Sequence, residues 1–158
     1  MEITLGFGSN MGNRRENIIQ AMEILEKELG KLISTSTLIE TEPWGFESKE
    51  RFLNSAAVFQ TNNPPHQALA ICNEVEKRLG RNRTADSAGY SSRTIDIDIL
   101  FCENQIIDTP QLQIPHPLID KRDFVLQPLN EIMPQFVHPV LQQTIEQLYK
   151  NRLKVSRK

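Results

Sequence analysis

Apolar and polar residues alternate along three stretches of the chain, at residues 3–7, 52–61 and 95–101. Successive side chains of an extended strand point to opposite faces, so this alternation predicts three β-strands. Residues 31–40 are rich in Ile, Leu, Ser and Thr, which favours a fourth strand with a partly polar face. Short apolar runs at 106–107 and 112–114 predict two further short strands.

Apolar residues spaced three or four apart predict two helices in the first half of the chain. The first begins at Asn13, which with Glu16 resembles a capping box, and it ends at Gly30. The second begins at Asn63-Pro64-Pro65, with Asn63 as the N-cap and a proline in the first turn. The apolar faces of the two helices contain Ile18, Met22, Leu25 and Leu29, and Ala68, Cys72, Val75 and Leu79.

The second half of the chain predicts two more helices. One begins near Asp120 and tolerates Pro128 in its first turns or is kinked by it, and the last covers residues 141–149. We expect the basic tail at 150–158 to be frayed. A chain of 158 residues with 39% hydrophobic content fits a single domain, 1–158, with one core.

Composition excludes some classes of protein. A formal net charge of −2 and a pI near 5.9 argue against a protein that binds long nucleic acids by bulk electrostatics. Cys72 and Cys102 fall in apolar patterns, so we expect buried thiols in a reducing compartment rather than a disulfide. No stretch reaches membrane-spanning length, and the N-terminus lacks a targeting pattern. We therefore expect a cytoplasmic protein that binds no membrane.

The strand at 95–101 has the strongest candidate chemistry. Asp96 and Asp98 lie on the face opposite Ile95, Ile97, Ile99 and Phe101, with their bases roughly 7 Å apart. Two carboxylates at this spacing suit a hard cation such as magnesium. Nearby, Arg81, Arg83 and Arg93 are donors suited to phosphate. The alternatives are a solvated strand face and an ion-pair network between these arginines and carboxylates.

Other residues indicate a binding pocket. Asn54 is an amide in an apolar strand, next to Phe52 on the same face, and it suits the polar edge of a flat heterocycle or a backbone partner. Trp44 lies in a Pro-Gly loop at 41–46, where it contacts a ligand or covers the core. Pro115 and Pro117 hold His116 extended, as suits a ligand contact. Asn73 and Glu76 share one helix face, which points to the same site or to solvent.

Together these pieces resemble the 6-hydroxymethyl-7,8-dihydropterin pyrophosphokinase family of folate biosynthesis. The arginine-to-aspartate block with the following Pro-His is the most specific piece, and the pieces occur in family order along nearly the whole chain. They are Gly8-Ser9-Asn10-x-Gly12, Thr41-Glu42-Pro43-Trp44-Gly45, Phe52-Leu53-Asn54, Glu76-x-x-x-Gly80-Arg81-x-Arg83, Arg93-x-x-Asp96-x-Asp98-Ile99-Leu100, Pro115-His116 and Arg122-x-Phe124.

The resemblance implies a ferredoxin-like α+β sandwich, with a central antiparallel sheet and helices packed on it. It implies an enzyme that moves the pyrophosphoryl group of ATP to a pterin alcohol and releases AMP, and we expect this enzyme to be a monomer. Asp96 and Asp98 would bind two magnesium ions, and Arg83 and Arg93 would act with them in catalysis. The ATP side would be Asn73, Glu76, Arg81, Arg83, Arg93, Ile99, His116 and Arg122, and the pterin side Thr41, Pro43, Trp44, Phe52, Asn54 and Phe124.

Some positions depart from the family pattern. Tyr90-Ser91-Ser92 stands where members often have Trp-Gly-Pro, Asn73 replaces a commoner Gln, and Gln113 replaces a hydroxyl residue of some members. We expect the weakly apolar loop at 82–92 to close over the triphosphate. Two other classes remain open: a two-metal nuclease or nucleotidyl hydrolase using the same aspartates, and a ferredoxin-like RNA-binding module.

Overall fold

The computed structural model of the protein describes residues 1–41, 51–80 and 94–156. Its strands are β1 (Glu2–Ser9), β2 (Gly30–Thr35), β3 (Ile39–Thr41), β4 (Phe52–Thr61), β5 (Asp96–Cys102), β6 (Ile107–Asp108) and β7 (Gln113–Ile114). Its helices are α1 (Arg14–Glu28), α2 (Pro65–Arg78), α3 (Asp123–Ile132) and α4 (Ile145–Ser156), with a 3-10 helix at Ile119–Lys121. The three strongly alternating stretches all form strands, as expected.

A five-stranded antiparallel sheet forms the centre of the fold. Its order is β2-β4-β1-β5, and β3 pairs with the same side of β4 that β2 uses further along. The stretch at 31–40 therefore forms two strands instead of the single one expected. Strands β6 and β7 make a separate two-stranded sheet.

Helices cover both faces of the sheet, because each face of its central strands is apolar. The α1 and α2 side packs on residues such as Leu5, Phe59 and Ile97, and the α3 and α4 side packs on Ala56, Leu100 and Phe101. The expected α+β architecture, with a central antiparallel sheet and helices packed on it, is confirmed. No helix among the described residues is long and apolar enough to cross a membrane.

A β-bulge in β5 corrects one expectation. The pairing register between β1 and β5 shifts where Thr4 meets Phe101 and Leu5 meets Ile99, which leaves Leu100 as an extra residue. The bulge reverses the alternation, so Phe101 packs on the α3 and α4 side while Ile97 and Ile99 pack on the other. Placing Phe101 on the face of the three isoleucines was wrong.

The N-terminus of α2 corrects the expectation that Asn63 is the N-cap of this helix. Its N-cap is Pro64, without a side-chain cap, and Pro65 is the first helical residue. Asn63 precedes this N-cap, and its side chain instead contacts α1 and β4: its Nδ2 donates to Leu29 O at 3.2 Å and to Thr61 Oγ at 3.0 Å. Asn13, in contrast, caps α1 as expected by accepting from Glu16 N at 3.1 Å.

The last helix differs in both bounds from the one expected at 141–149. It begins at Ile145 and continues to Ser156, so residues 150–156 are helical rather than frayed. Two ion pairs support this extension: Lys150 contacts Glu146 at 3.4 Å, and Arg152 contacts Asp123 of α3 at 2.8 Å. Ile145 and Leu148 are buried, as expected.

Candidate active site

The two aspartates of β5 project from one face of the sheet, as the sequence predicted. Asp96 pairs across the ladder with Gly8 of β1, and Asp98 pairs with Gly6. Directly paired residues share a face, and both side chains are half-buried while Ile97 between them is buried on the other side. The hydrophobic cluster on the α3 and α4 side of this face contains Ala56 and Leu100 but neither aspartate, and we call the part of the face around Asp96 and Asp98 its open end.

Gly8 forms the floor of a slot between Asn54 and Asp96. It pairs with Asn54 on one side and with Asp96 on the other, so these three residues form one row across the sheet. Two strand spacings separate Asn54 from Asp96, about 10 Å. A Cβ on Gly8 would lie 3.0 Å from Asn54 Oδ1 and 3.6 Å from Phe52 Cδ1, so the glycine makes room for both side chains.

The walls of this slot come from β3, β4 and the bulge. Asn54 is 5% exposed, Phe52 is half-buried two residues away on the same face, and Thr41 pairs with Phe52. Leu100, the bulged residue, covers the next glycine, since a Cβ on Gly6 would lie 3.3 Å from its Cδ1. The sequence analysis missed the role of Gly8, although glycines two residues apart on a strand mark space left for a neighbouring side chain.

Glu76 of α2 holds the backbone between the two aspartates. Its carboxylate is 2% exposed, and Oε2 accepts a hydrogen bond from Ile97 N at 2.8 Å. A hydrogen bond to a charged acceptor is stronger than a neutral one, and a buried carboxylate needs such partners. Glu76 therefore fixes the strand segment from which Asp96 and Asp98 project.

His116 supports the same strand from its outer side. Its backbone N donates to Leu100 O at 3.0 Å, and its Nδ1 accepts from Leu118 N at 3.3 Å. Burial and then the positive charge of Arg122 lower the pKa of His116 to about 4, against the opposing negative charge of Asp96. The ring is therefore neutral at pH 7, and because Nδ1 accepts a hydrogen bond, the ring proton lies on Nε2, which makes that nitrogen a donor.

Arg122 and Phe124 lie together at the start of α3. The guanidinium carbon of Arg122 is 5.6 Å from the centroid of the Phe124 ring, within cation–π range. Arg122 also lies near enough to His116 for its charge to act on that ring. The residues assigned to the nucleotide and to the pterin therefore adjoin at this point.

Two residues assigned to the nucleotide lie differently from the others. The side chain of Ile99 is 4% exposed and packs in the α1 and α2 core, so only its main chain remains for a ligand. Asn73 is exposed on α2, one turn before Glu76. The assignments of Pro43, Trp44, Arg81, Arg83 and Arg93, and the loop at 82–92, lie outside the described residues, as does the side chain of Thr41.

The donor set of this site fits magnesium held together with a phosphate substrate. Among residues 1–41, 51–80 and 94–156, no group of three or more His, Cys, Asp or Glu side chains could hold a metal ion. Asp96 and Asp98 are thus a pair without a third such ligand in that part of the chain. Magnesium is commonly bound in this way, by one or two carboxylates with substrate phosphates and water completing its octahedron.

Comparisons with known proteins agree with this geometry. The family model described as 7,8-dihydro-6-hydroxymethylpterin-pyrophosphokinase (HPPK) matches residues 4–134. A 2-amino-4-hydroxy-6-hydroxymethyldihydropteridine pyrophosphokinase of Porphyromonas gingivalis is 38% identical over 138 residues, which are 87% of this chain and 93% of that protein. The folic acid synthesis protein FOL1 of Dictyostelium discoideum is also 38% identical, over 98% of this chain and 22% of its own length.

A solved structure of a Plasmodium falciparum HPPK-DHPS triple mutant shares the fold, with a TM-score of 0.81 at 20% identity, over 99% of this chain and 44% of that one. The fold and the sequence matches define an enzyme of the ATP-dependent pyrophosphokinase class. Within that class, the chain belongs to the 7,8-dihydro-6-hydroxymethylpterin-pyrophosphokinase family.

Proposed function

We propose that the protein transfers the β,γ-pyrophosphoryl group of ATP to the hydroxymethyl oxygen of 6-hydroxymethyl-7,8-dihydropterin, giving AMP and the pterin diphosphate in folate biosynthesis. The observation that carries this proposal is the row formed by Asn54, Gly8 and Asp96. This row sets the Asn54 amide and the Asp96 carboxylate about 10 Å apart on either side of a glycine, beside a carboxylate pair suited to a metal–phosphate complex.

The pterin occupies the Gly8 slot in this proposal. A flat ring lies against Phe52, and the buried Asn54 amide pairs with its hydrogen-bonding edge. Phe124, adjacent to Arg122, covers the other face of the ring. Thr41, Pro43 and Trp44 complete the pocket by family resemblance.

ATP occupies the side of β5 next to α2 and His116. His116 donates from Nε2, Arg122 supplies positive charge, and Ile99 offers its main chain. Asn73 and Glu76 lie on the α2 side of this site. Arg81, Arg83 and Arg93 bind the phosphates by family resemblance, and Arg83 and Arg93 act in the transfer with Asp96 and Asp98.

Asp96 and Asp98 would hold two magnesium ions with the triphosphate. When bound, magnesium neutralises phosphate charge and thereby favours attack on phosphorus. The pterin oxygen forms a bond to the β-phosphorus as the bond between that phosphorus and the α,β-bridging oxygen breaks, and AMP departs with the electron pair. The chain's own task is to align the two substrates in line on one sheet face.

A covalent enzyme intermediate has no place in this mechanism. Burial, and then the negative charges of Glu76 and Asp98, raise the pKa of the Cys72 thiol to about 12, and burial raises that of Cys102 to about 11. Neither thiol is ionised at neutral pH, so neither is an activated nucleophile. Both are free, which supports a reducing cytoplasmic location, and we propose a monomer.

Formation of AMP tests the proposal directly. The purified protein is incubated with magnesium-ATP, with and without 6-hydroxymethyl-7,8-dihydropterin, and AMP and pterin diphosphate are quantified. We expect equal amounts of both, formed only when the pterin is present. ATP hydrolysis that does not depend on pterin would favour the nucleotidyl hydrolase, and RNA binding without turnover would favour the binding module.

Replacing Asn54 with alanine should weaken pterin binding about 5- to 150-fold, because the polar edge of a buried ring loses its partner. Binding of magnesium-ATP should change little, since Asn54 lies across the slot from Asp96. Calorimetry with each ligand measures both effects. The control is Gln60→Ala, which removes an exposed amide from the same strand and should change neither affinity. Equal losses of affinity for the pterin and for magnesium-ATP would indicate that Asn54 supports the fold rather than binding the pterin.

A further inference from the structure

A buried hydroxyl and an amide converge on one carbonyl at the entrance to β5. Ser9, at the end of β1, is fully buried and its Oγ donates to Thr94 O at 2.5 Å. Asn17 Nδ2 donates to the same Thr94 O at 3.1 Å, to Ser9 Oγ at 3.2 Å and to Met11 O at 2.9 Å. We call Ser9, Asn17 and the Thr94 carbonyl the Thr94 clamp.

The turn between β1 and α1 builds this clamp. Gly12 has a φ of +69°, a conformation that favours glycine, and Asn13 then caps α1. The chain thereby reverses direction, so that Asn17 near the start of α1 returns to the end of β1. The clamp gives a specific structural role to the Gly8-Ser9-Asn10 segment.

The clamp lies next to the carboxylates that the reaction needs. Thr94 is two residues before Asp96, and Ser9 directly follows Gly8, the residue that pairs with Asp96. The end of α2 is also close, since a Cβ on Gly80 would lie 3.8 Å from Thr94 Oγ. Movement of the Thr94 carbonyl would therefore displace Asp96 from its place opposite Gly8.

We propose that Ser9 and Asn17 are positioning residues for the pyrophosphoryl transfer, which hold the entrance of β5 so that Asp96 keeps the geometry required for the metal–nucleotide complex. This inference rests on the function proposed above. Neither side chain needs to touch a substrate. The clamp and the Glu76 contact with Ile97 fix β5 on either side of Asp96.

A second set of residues with the same geometry offers a matched control. At the last residue of β4, Thr61 Oγ donates to Leu29 O at 2.7 Å. Asn63 Nδ2 donates to the same carbonyl at 3.2 Å and to Thr61 Oγ at 3.0 Å. This set joins α1 to β4 near Gly30, at the opposite end of the sheet from Asp96. It matches the Thr94 clamp in chemistry but not in location.

The test compares Asn17→Ala and Asn17→Asp with Asn63→Ala and Asn63→Asp. The aspartate variants keep the shape of the side chain and lose both N–H donors. Three properties are measured for each: amide hydrogen exchange of residues 94–98 without ligand, calorimetric affinity for magnesium with α,β-methylene-ATP, and single-turnover rate with both substrates. Thermal unfolding of every variant reports the stability loss common to both sets.

We expect both Asn17 variants to exchange faster at 94–98 and to lose about 10- to 100-fold in nucleotide affinity or rate. Pterin affinity should stay within about twofold, because Asn54 and Phe52 are unchanged. The Asn63 variants should match the wild type in all three properties. Ser9→Ala should reproduce the Asn17 effects, because it removes the hydroxyl that donates to Thr94 O.

Equal behaviour of the Asn17 and Asn63 variants at matched stability would overturn the inference. So would unchanged exchange at 94–98 in Asn17→Asp. These results are separable from failure of the proposed function, which is judged by pterin-dependent AMP formation in the wild-type protein. Exchange at 94–98 tests the clamp whether or not that product appears.

Discussion

Replacing Asp98 with alanine is expected to lower turnover by about 10³-fold or more while leaving the fold intact. Asp98 projects from the open end of one sheet face and is half-buried, so its removal costs little packing. It leaves Asp96 as the one remaining member of the carboxylate pair that would hold magnesium against the triphosphate. Single-turnover rates at saturating magnesium-ATP and pterin measure the effect, and circular dichroism checks the fold.

Asp108→Ala provides the control for this substitution. Asp108 is an exposed carboxylate on β6, outside the main sheet, and its Oδ1 accepts a hydrogen bond from Gln113 Nε2 at 3.4 Å. It should retain wild-type turnover. A folded Asp98→Ala protein with near wild-type turnover would exclude Asp98 as a metal ligand. Asp96→Ala should behave like Asp98→Ala, because in the proposed mechanism the two carboxylates would hold the same metal–phosphate complex.

Replacing Glu76 with alanine is expected to lower the free energy of unfolding by about 1–3 kcal/mol, because the buried Ile97 N–H loses its acceptor. Turnover should fall on the order of 10- to 100-fold, since the segment between the aspartates is no longer held. Glu76→Gln keeps an acceptor oxygen and should recover most of the stability. Chemical denaturation and single-turnover kinetics measure both properties.

Glu131→Ala is the matched control for Glu76. Glu131 also accepts from a backbone N–H, that of Thr37 at 2.9 Å, but it is exposed, so water replaces the lost partner. Its removal should cost much less stability and leave turnover unchanged. If Glu76→Gln were as unstable as Glu76→Ala, the charge of Glu76 rather than its hydrogen bond to Ile97 would account for its role.

Local alternation was sufficient to predict which residues share the face of the site. Asp96 and Asp98 project together, and Phe52 and Asn54 share a face of β4, because the two-residue period of a strand depends on nothing beyond the strand itself. The roles assigned to these residues remain predictions. The arrangement that brings them together, Asn54 and Asp96 on either side of Gly8, depends on strand order, which no local pattern contains.

Three of the wrong predictions have the same cause, because a local pattern contains no information about contacts between distant segments. The bulge at Leu100 arises from the pairing of β5 with β1, so alternation within β5 alone placed Phe101 on the wrong face. Asn63 has the local signature of an N-cap, but its side chain is held by a hydrogen bond to a carbonyl 34 residues away. An ion pair between Arg152 and Asp123 of another helix supports the extension of α4 to Ser156. Secondary-structure propensity depends on the local segment alone, whereas tertiary contacts determine the structure at these three places.

The hydrogen bonds on the outer edge of β5 also affect self-association of the protein. In the described part of the chain β5 is the edge of the main sheet, and exposed strand edges are templates on which other chains can add a strand and aggregate. Here the backbone N–H of Ile97 already donates a hydrogen bond to the Glu76 carboxylate, and the carbonyl of Leu100 already accepts one from the backbone N–H of His116. The contacts that hold β5 in place therefore also block its edge against pairing with a second molecule.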